Sequence, residues 1–144
     1  MSTATRHKLQ RLKDVPLFAN LSKPELGLIH DNAHEVEFTP GKTIVRQGSK
    51  ASDLYVVLEG EVAIEVDGER RPIELGPGDY FGEMSVIDGG PRTASVIAAS
   101  RVTLLRVPSS TFNKLVSHNS RVARKIMVEL VTRLRTQEQD QARW

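Results

Sequence analysis

Between His34 and Val107 the chain is written in apolar runs of three to five residues separated by turn signals, a pattern no long helix can accommodate. The runs are Thr43-Ile44-Val45, Leu54 to Leu58, Val62-Ala63-Ile64-Glu65-Val66, Ile73-Glu74-Leu75 and the alternation from Val102 to Leu104. In a strand, alternate side chains share a face, so Val62, Ile64, Ile73 and Leu75 are expected in a core. Asp67-Gly68 separates two of the runs and is a hairpin signal, because both residues tolerate positive φ. Gly76-Pro77-Gly78-Asp79 makes a further tight reversal. Short strands at this spacing predict a β-roll or barrel, and the class is α+β, mainly β.

Helical patterns flank that region. Leu9, Leu12, Leu17, Phe18 and Leu21, then Leu26, Leu28 and Ile29, carry helical signals up to about Ala33. Ser22 is placed to cap the second of these segments, Pro24 tolerates an early helical position, and Glu25 complements the dipole. After Pro108, Phe112, Leu115 and Val116 share a face, and His118-Asn119-Ser120 breaks the pattern and can cap a last helix from about Arg121. On that helix Val122, Ile126 and Leu130, with Ala123, Met127 and Leu134 beside them, make an apolar stripe. Arg133 lies about 20° from both Ile126 and Val122 on the helical wheel, so it is expected to face the body of the domain.

With 144 residues, 39% of them apolar, the chain is expected to form one domain over residues 1–144. It has no cysteine, which excludes disulfides and thiolate metal sites. Its first residues include no apolar run of signal-peptide or membrane-spanning length, so a soluble cytoplasmic protein without membrane contact is expected. The net charge of +2 gives nucleic-acid binding no support, although the pI is about 9.1.

Chemistry concentrates in Phe81 to Val96, FGEMSVIDGGPRTASV. A short helix is predicted near Gly82 to Ser85; its first amides have no partner within the helix, and Gly82 allows close backbone approach. Nine positions after Glu83, across Asp88-Gly89-Gly90-Pro91, Arg92 offers a planar fork of donors suited to two phosphate oxygens. One carboxylate, one guanidinium and free amides around one space suit a cyclic phosphodiester. This is a binding signature with no catalytic residue in it.

Phe81-Gly82-Glu83-Met84-Ser85, the fixed gap, and Pro91-Arg92-Thr93-Ala94 resemble the phosphate-binding cassette of cyclic nucleotide-binding domains. The resemblance extends through Leu54 to Gly60 and the Val102 to Leu104 alternation. It implies an antiparallel, jelly-roll-like β-roll over about 34–107, with N-terminal helices, a cassette over 81–96 containing a short helix, and two C-terminal helices over about 109–144. It also implies that Arg92 pairs with the exocyclic phosphate oxygens and that Glu83 accepts from the ribose 2′-hydroxyl. Amides near Gly82, Glu83 and Ser85, the Ser85 side chain or amide, and the Thr93 hydroxyl or amide would complete a pocket bounded by Phe81, Met84 and Ala94. Leu75 is the wall residue placed to touch base or sugar. Before ligand arrives, Arg92 is expected to pair with Glu83. The last helix would act as a lid with Arg133 stacked on the purine; alternatively, Arg133 lays its stem along the core with its head in water.

The ligand implied is cAMP first and cGMP second, since threonine at position 93 serves either base. Other chemistry lacks support. His30 and His34 are four apart, but no third metal ligand has suitable spacing. The β region has no histidine for a cupin-type metal, and no triphosphate-binding loop is present. Arg6-His7-Lys8, Arg11 and Lys13 read as a solvated helix face. A DNA-binding regulator would need a recognition module, whereas 10 residues follow Leu134. The expectation is a stand-alone, non-enzymatic sensor, monomeric or weakly dimeric, with no metal or cofactor, signalling through its last helix to a protein effector. The competing readings are an interaction module with an unused cassette, or a fragment of a channel, kinase or transcription regulator.

Overall fold

Leu54 to Val57 is a continuous apolar run because the strand that contains it is covered on both faces: Leu54 and Val56 enter one core, Tyr55 and Val57 another. A computed structural model describes residues 10–142, and the side chains of 10–136. The predicted features at Arg6-His7-Lys8 and Leu9, and the side chains beyond Thr136, lie outside the described residues.

The strands are β1 (His34–Phe38), β2 (Thr43–Val45), β3 (Leu54–Glu59), β4 (Val62–Val66), β5 (Glu69–Leu75), β6 (Tyr80–Phe81), β7 (Ser95–Ala98) and β8 (Val102–Val107). They form two antiparallel four-stranded sheets, ordered β1-β8-β3-β6 and β2-β7-β4-β5. The faces between the sheets bury Val45, Tyr55, Val57, Val62, Phe81, Val96, Ala98, Val102 and Leu104. The outer face of the first sheet packs under the helices through Leu54, Val56, Leu105 and Val107.

The Asp67-Gly68 hairpin forms as predicted, with φ of 54° and 79° joining β4 to β5. Ile73 is a correction: it is 59% exposed. β5 lies at the edge of its sheet, which also explains how it tolerates Pro72, a residue with no amide to donate. Leu75, at the end of the same strand, does pack against the inter-sheet core.

A helical turn over 10–14 and a 3-10 turn at Pro16–Phe18 lead to α1 (Lys23–Asn32). Arg11 is not free on a solvated face; it bridges Glu35 of β1 and Glu59 of β3, each at 3.2 Å. α1 opens with a reciprocal capping box, Glu25 N–H donating to Ser22 Oγ at 3.3 Å and Ser22 N–H to Glu25 Oε1 at 2.9 Å. That second bond, and donation from Asn119 Nδ2, hold the Glu25 carboxyl below its ordinary pKa. Its contribution to stability is therefore present above its unfolded pKa and lost as pH falls through the lower, folded value. Ser22→Ala is expected to cost about 1 kcal/mol, read from chemical denaturation at neutral pH. Glu25→Gln is expected to flatten the acid limb of the stability profile.

After β8 come α3 (Ser109–His118) and α4 (Ser120–Ala142). Asn119 ends one and starts the other, its Oδ1 accepting from the amides of Arg121 and Val122 at 3.0 and 3.2 Å. Val122 and Ile126 are buried as the stripe predicts, and Leu130 packs against the same core. Met127 and Leu134 are instead 57% and 55% exposed, because they lie about 80–100° round the helix from Ile126, off the covered stripe. Among the described residues, no helix is long and apolar enough to cross a membrane.

Candidate functional site

The cassette begins where β6 pairs with β3, Phe81 opposite Tyr55. The two rings stack at 5.1 Å with an interplanar angle of 12°, so the Phe81 side chain belongs to the inter-sheet core. Gly82 follows with φ 93°, turning the chain into α2 (Glu83–Asp88). The first intrahelical bond is Val86 N–H to the Gly82 carbonyl at 3.3 Å, which leaves the amides of Glu83, Met84 and Ser85 ahead of it. α2 ends at Gly89, whose amide donates to the Ser85 carbonyl, and Asp88 Oδ1 takes the Gly90 amide at 2.7 Å. The reversal that the Asp-Gly-Gly-Pro sequence dictates then delivers Arg92 beneath Gly82.

Arg92 is held from several sides. Its backbone amide donates to the Ser49 carbonyl at 2.9 Å, and its carbonyl accepts from the Gly48 amide at 2.8 Å. Its NH2 donates to the Asp53 carbonyl at 2.7 Å and its NH1 to the Gly82 carbonyl at 3.4 Å. The guanidinium lies 6.0 Å from the centre of the Tyr55 ring. The residue is 3% exposed, yet among the described residues it makes no ion pair, and its Nε is buried with no hydrogen-bond partner. Burial pushes its pKa down, while Tyr55, Asp53 and Glu83 favour the charged form; a guanidinium in this setting stays protonated. A buried cation whose partners are two carbonyls and a ring is a site still owed an anion.

The expected Arg92–Glu83 pair is not formed, and this is a correction. Once two carbonyls fix the guanidinium, Glu83, also 3% exposed, takes its counter-charge from α4: Arg133 NH1 donates to Glu83 Oε1 at 2.5 Å. Arg133 thus reaches across to the cassette and does not point into the domain body with Ile126. Its side chain is 45% exposed. Arg133 NH2 also donates to Glu129 Oε1 at 3.2 Å, and Glu129 Oε2 accepts from the Tyr80 hydroxyl. Burial and the facing carboxylates push the Tyr80 pKa up, so the hydroxyl remains a donor.

Of the other predicted site residues, Ser85 is buried, Ala94 is partly covered, and Met84 and Thr93 are exposed. Residues that sequence reasoning did not reach are Asp53, which acts through its backbone, and Tyr55, Tyr80 and Glu129. Only Glu129 had a readable signal, its four-residue spacing from Arg133. His30 Nδ1 lies 3.0 Å from Asp31 Oδ1 and His34 opens β1 opposite Arg106. Among the described residues, no cluster of three or more His, Cys, Asp or Glu could hold a metal.

A family profile described as the cyclic nucleotide-binding domain matches residues 35–119, covering the β-roll, the cassette and α3. The chain belongs to the cyclic nucleotide-binding domain family. This domain is 37% identical over 114 residues to a cyclic nucleotide-gated potassium channel of Mesorhizobium japonicum, covering 79% of the chain and 31% of the channel. It is 32% identical over 112 residues to a cAMP-dependent protein kinase regulatory subunit of Mycosarcoma maydis, covering 72% of the chain and 21% of the subunit. Among solved structures it superposes on the Thermus thermophilus catabolite activator protein with a TM-score of 0.75 and 32% identity, over 87% of this chain and 61% of that one. The cyclic nucleotide-binding domain therefore spans a fifth to a third of the length of these curated relatives. These relatives are a gated channel, a kinase regulatory subunit and an activator protein, and the β-roll with flanking helices is the fold expected for the family.

Proposed function

We propose that this domain is a non-enzymatic regulatory module that binds a cyclic nucleotide, cAMP in preference to cGMP, and signals to a protein effector through α4. The single observation that carries the reading is the state of Arg92: a buried guanidinium with no carboxylate partner and an unpartnered Nε, set below Gly82 at the head of α2. A singly charged phosphodiester supplies the missing anion, with the amides from Glu83 to Ser85 as further donors. Glu83 then accepts from the ribose 2′-hydroxyl. A free phosphate would also satisfy Arg92; a cyclic ester in addition brings a sugar hydroxyl as donor for the Glu83 carboxylate. The preference for cAMP follows the naming of the kinase regulatory subunits that the chain resembles.

The test is isothermal titration of the chain, stripped of retained ligand by unfolding and refolding, with cAMP and with cGMP. Saturable 1:1 binding is expected, tighter for cAMP. Absence of heat with both nucleotides, together with an unchanged melting temperature, would overturn the reading.

A further inference from the structure

The backbone of Arg92 is paired with the turn over residues 46–49 that follows β2: the Gly48 amide donates to the Arg92 carbonyl at 2.8 Å, and the Arg92 amide to the Ser49 carbonyl at 2.9 Å. That turn is tight within itself, since the Ser49 amide and Oγ both donate to the Arg46 carbonyl, at 3.1 and 2.7 Å. The sheet holds it weakly. β2 is a three-residue edge strand whose register against β7 shifts between Thr43 and Val45. Gln47 supplies a further hold. Its amide donates to Ser95 Oγ at 2.9 Å, at the start of β7. Its side chain meets Asp67 in both senses: Nε2 donates to Asp67 Oδ1 at 3.0 Å, and Oε1 accepts from the Asp67 amide at 2.8 Å. Asp67, at φ 54°, forms the tip of the β4–β5 hairpin. One exposed glutamine thus ties three segments across the end of the sheet, and the turn it ties is the one paired with Arg92.

We propose that Gln47 is a positioning residue for the nucleotide site: by clamping the turn after β2 to the tip of the β4–β5 hairpin, it fixes the backbone from which Arg92 reaches the phosphate. The inference rests on the reading of Arg92 as the phosphate partner. A bidentate contact tolerates a misplacement of only about 0.5 Å, so the segment behind the arginine matters as much as the arginine itself. Gln47 acts through two exposed hydrogen bonds, whose loss costs the whole fold little, whereas the seat of one buried guanidinium depends on the turn they hold. If the turn spends part of its time detached, apparent affinity falls in proportion to the fraction of chains left competent. The pairing is also invertible. With a carboxylate at position 47 and a carboxamide at position 67, the same two hydrogen bonds form with the side-chain donor on the other residue.

The experiment compares the wild-type chain with Gln47→Ala, Gln47→Glu and the double variant Gln47→Glu with Asp67→Asn. Ser100→Ala is the control; it removes a like tie, Glu61 amide to Ser100 Oγ at 3.1 Å, at the other end of β4 and β7. Binding of cAMP is read by titration, exchange of the Gly48 and Arg92 amides by NMR, and global stability by thermal melting. Gln47→Ala is expected to raise the Kd about fivefold, the worth of one ordinary hydrogen bond. Gln47→Glu should raise it further, because it sets two carboxylates against each other, and the double variant should return to within about twofold of wild type. Exchange of the two amides should rise in both single variants before any ligand is added and fall back in the double. Ser100→Ala should change neither. Wild-type affinity in Gln47→Ala and Gln47→Glu overturns the inference while leaving the site reading intact. So does a loss in Gln47→Glu that Asp67→Asn fails to restore, or an equal loss in Ser100→Ala. A wild-type chain that binds no cAMP overturns the site reading and this inference with it.

Discussion

Arg92→Ala is expected to reduce cyclic nucleotide affinity by about 2–5 kcal/mol, the cost of removing one partner of a buried, hydrogen-bonded charge pair. That corresponds to a Kd raised roughly 30-fold to several thousand-fold. The scale follows from burial: at 3% exposure, no water replaces the lost donors at the phosphate. Arg92→Lys is expected to fall nearly as far. The present guanidinium satisfies the Asp53 and Gly82 carbonyls with separate nitrogens and keeps Nε in reserve. A lysine ammonium offers one nitrogen in place of three and reproduces neither the spacing nor the planar fork. The fold should tolerate either change better than the site does, because Arg92 neutralises no buried carboxylate; the two orphaned carbonyls set the loss at about 1 kcal/mol each. Titration and thermal melting on the same samples separate the two effects. An alanine variant that binds as wild type does would remove Arg92 from the site.

What the sequence makes legible here is whatever one stretch of chain decides for itself. The Ser22 cap, the Asp67-Gly68 turn, the Asn119 cap and the Gly82-to-Arg92 turn all rest on residues within ten positions of each other, and all stand in the structure where the spacing puts them. What stays hidden depends on distant chain. Pro72 points to an edge strand, but how far the neighbouring strands leave β5 uncovered depends on the assembled sheet, so Ile73 reads as core and is exposed. The partner of Arg92 at Asp53 is a backbone oxygen 39 positions away, and a carbonyl has no sequence signature. Helical periodicity turned Arg133 toward the domain body, whereas its guanidinium reaches across to the cassette. Its partner there depends on Arg92 already being satisfied by carbonyls. Glu83 then draws its counter-charge from the neighbouring helix, 50 positions on.

Gly82→Ala is expected to damage folding and binding together. At φ 93° an L-residue is strained whatever the space around it, and here there is no space. A Cβ would stand 2.4 Å from Arg92 NH1 and 2.8 Å from the Asp53 carbonyl oxygen. The guanidinium can move, but the carbonyl belongs to the residue that leads into β3, a central strand buried on both faces, and cannot yield cheaply. The arginine is therefore displaced from its seat. A loss of roughly 1–3 kcal/mol in stability is expected from backbone strain alone, with ligand affinity falling toward that of Arg92→Ala. Gly89→Ala is the matched control: φ is 69° at the other end of the same helix, but a Cβ there meets nothing within 4 Å. It should carry the strain without the loss of binding. Combining Gly82→Ala with Arg92→Ala tests whether the two act at one place. Since both remove the same guanidinium from the same seat, the binding losses should not add, whereas independent effects would sum. Stability should even recover in part, because the alanine at 92 removes the 2.4 Å contact with NH1, while the contact with the Asp53 carbonyl stays. A fully additive double mutant would mean that Gly82 serves the ligand directly, through close backbone approach, and not by making room for Arg92.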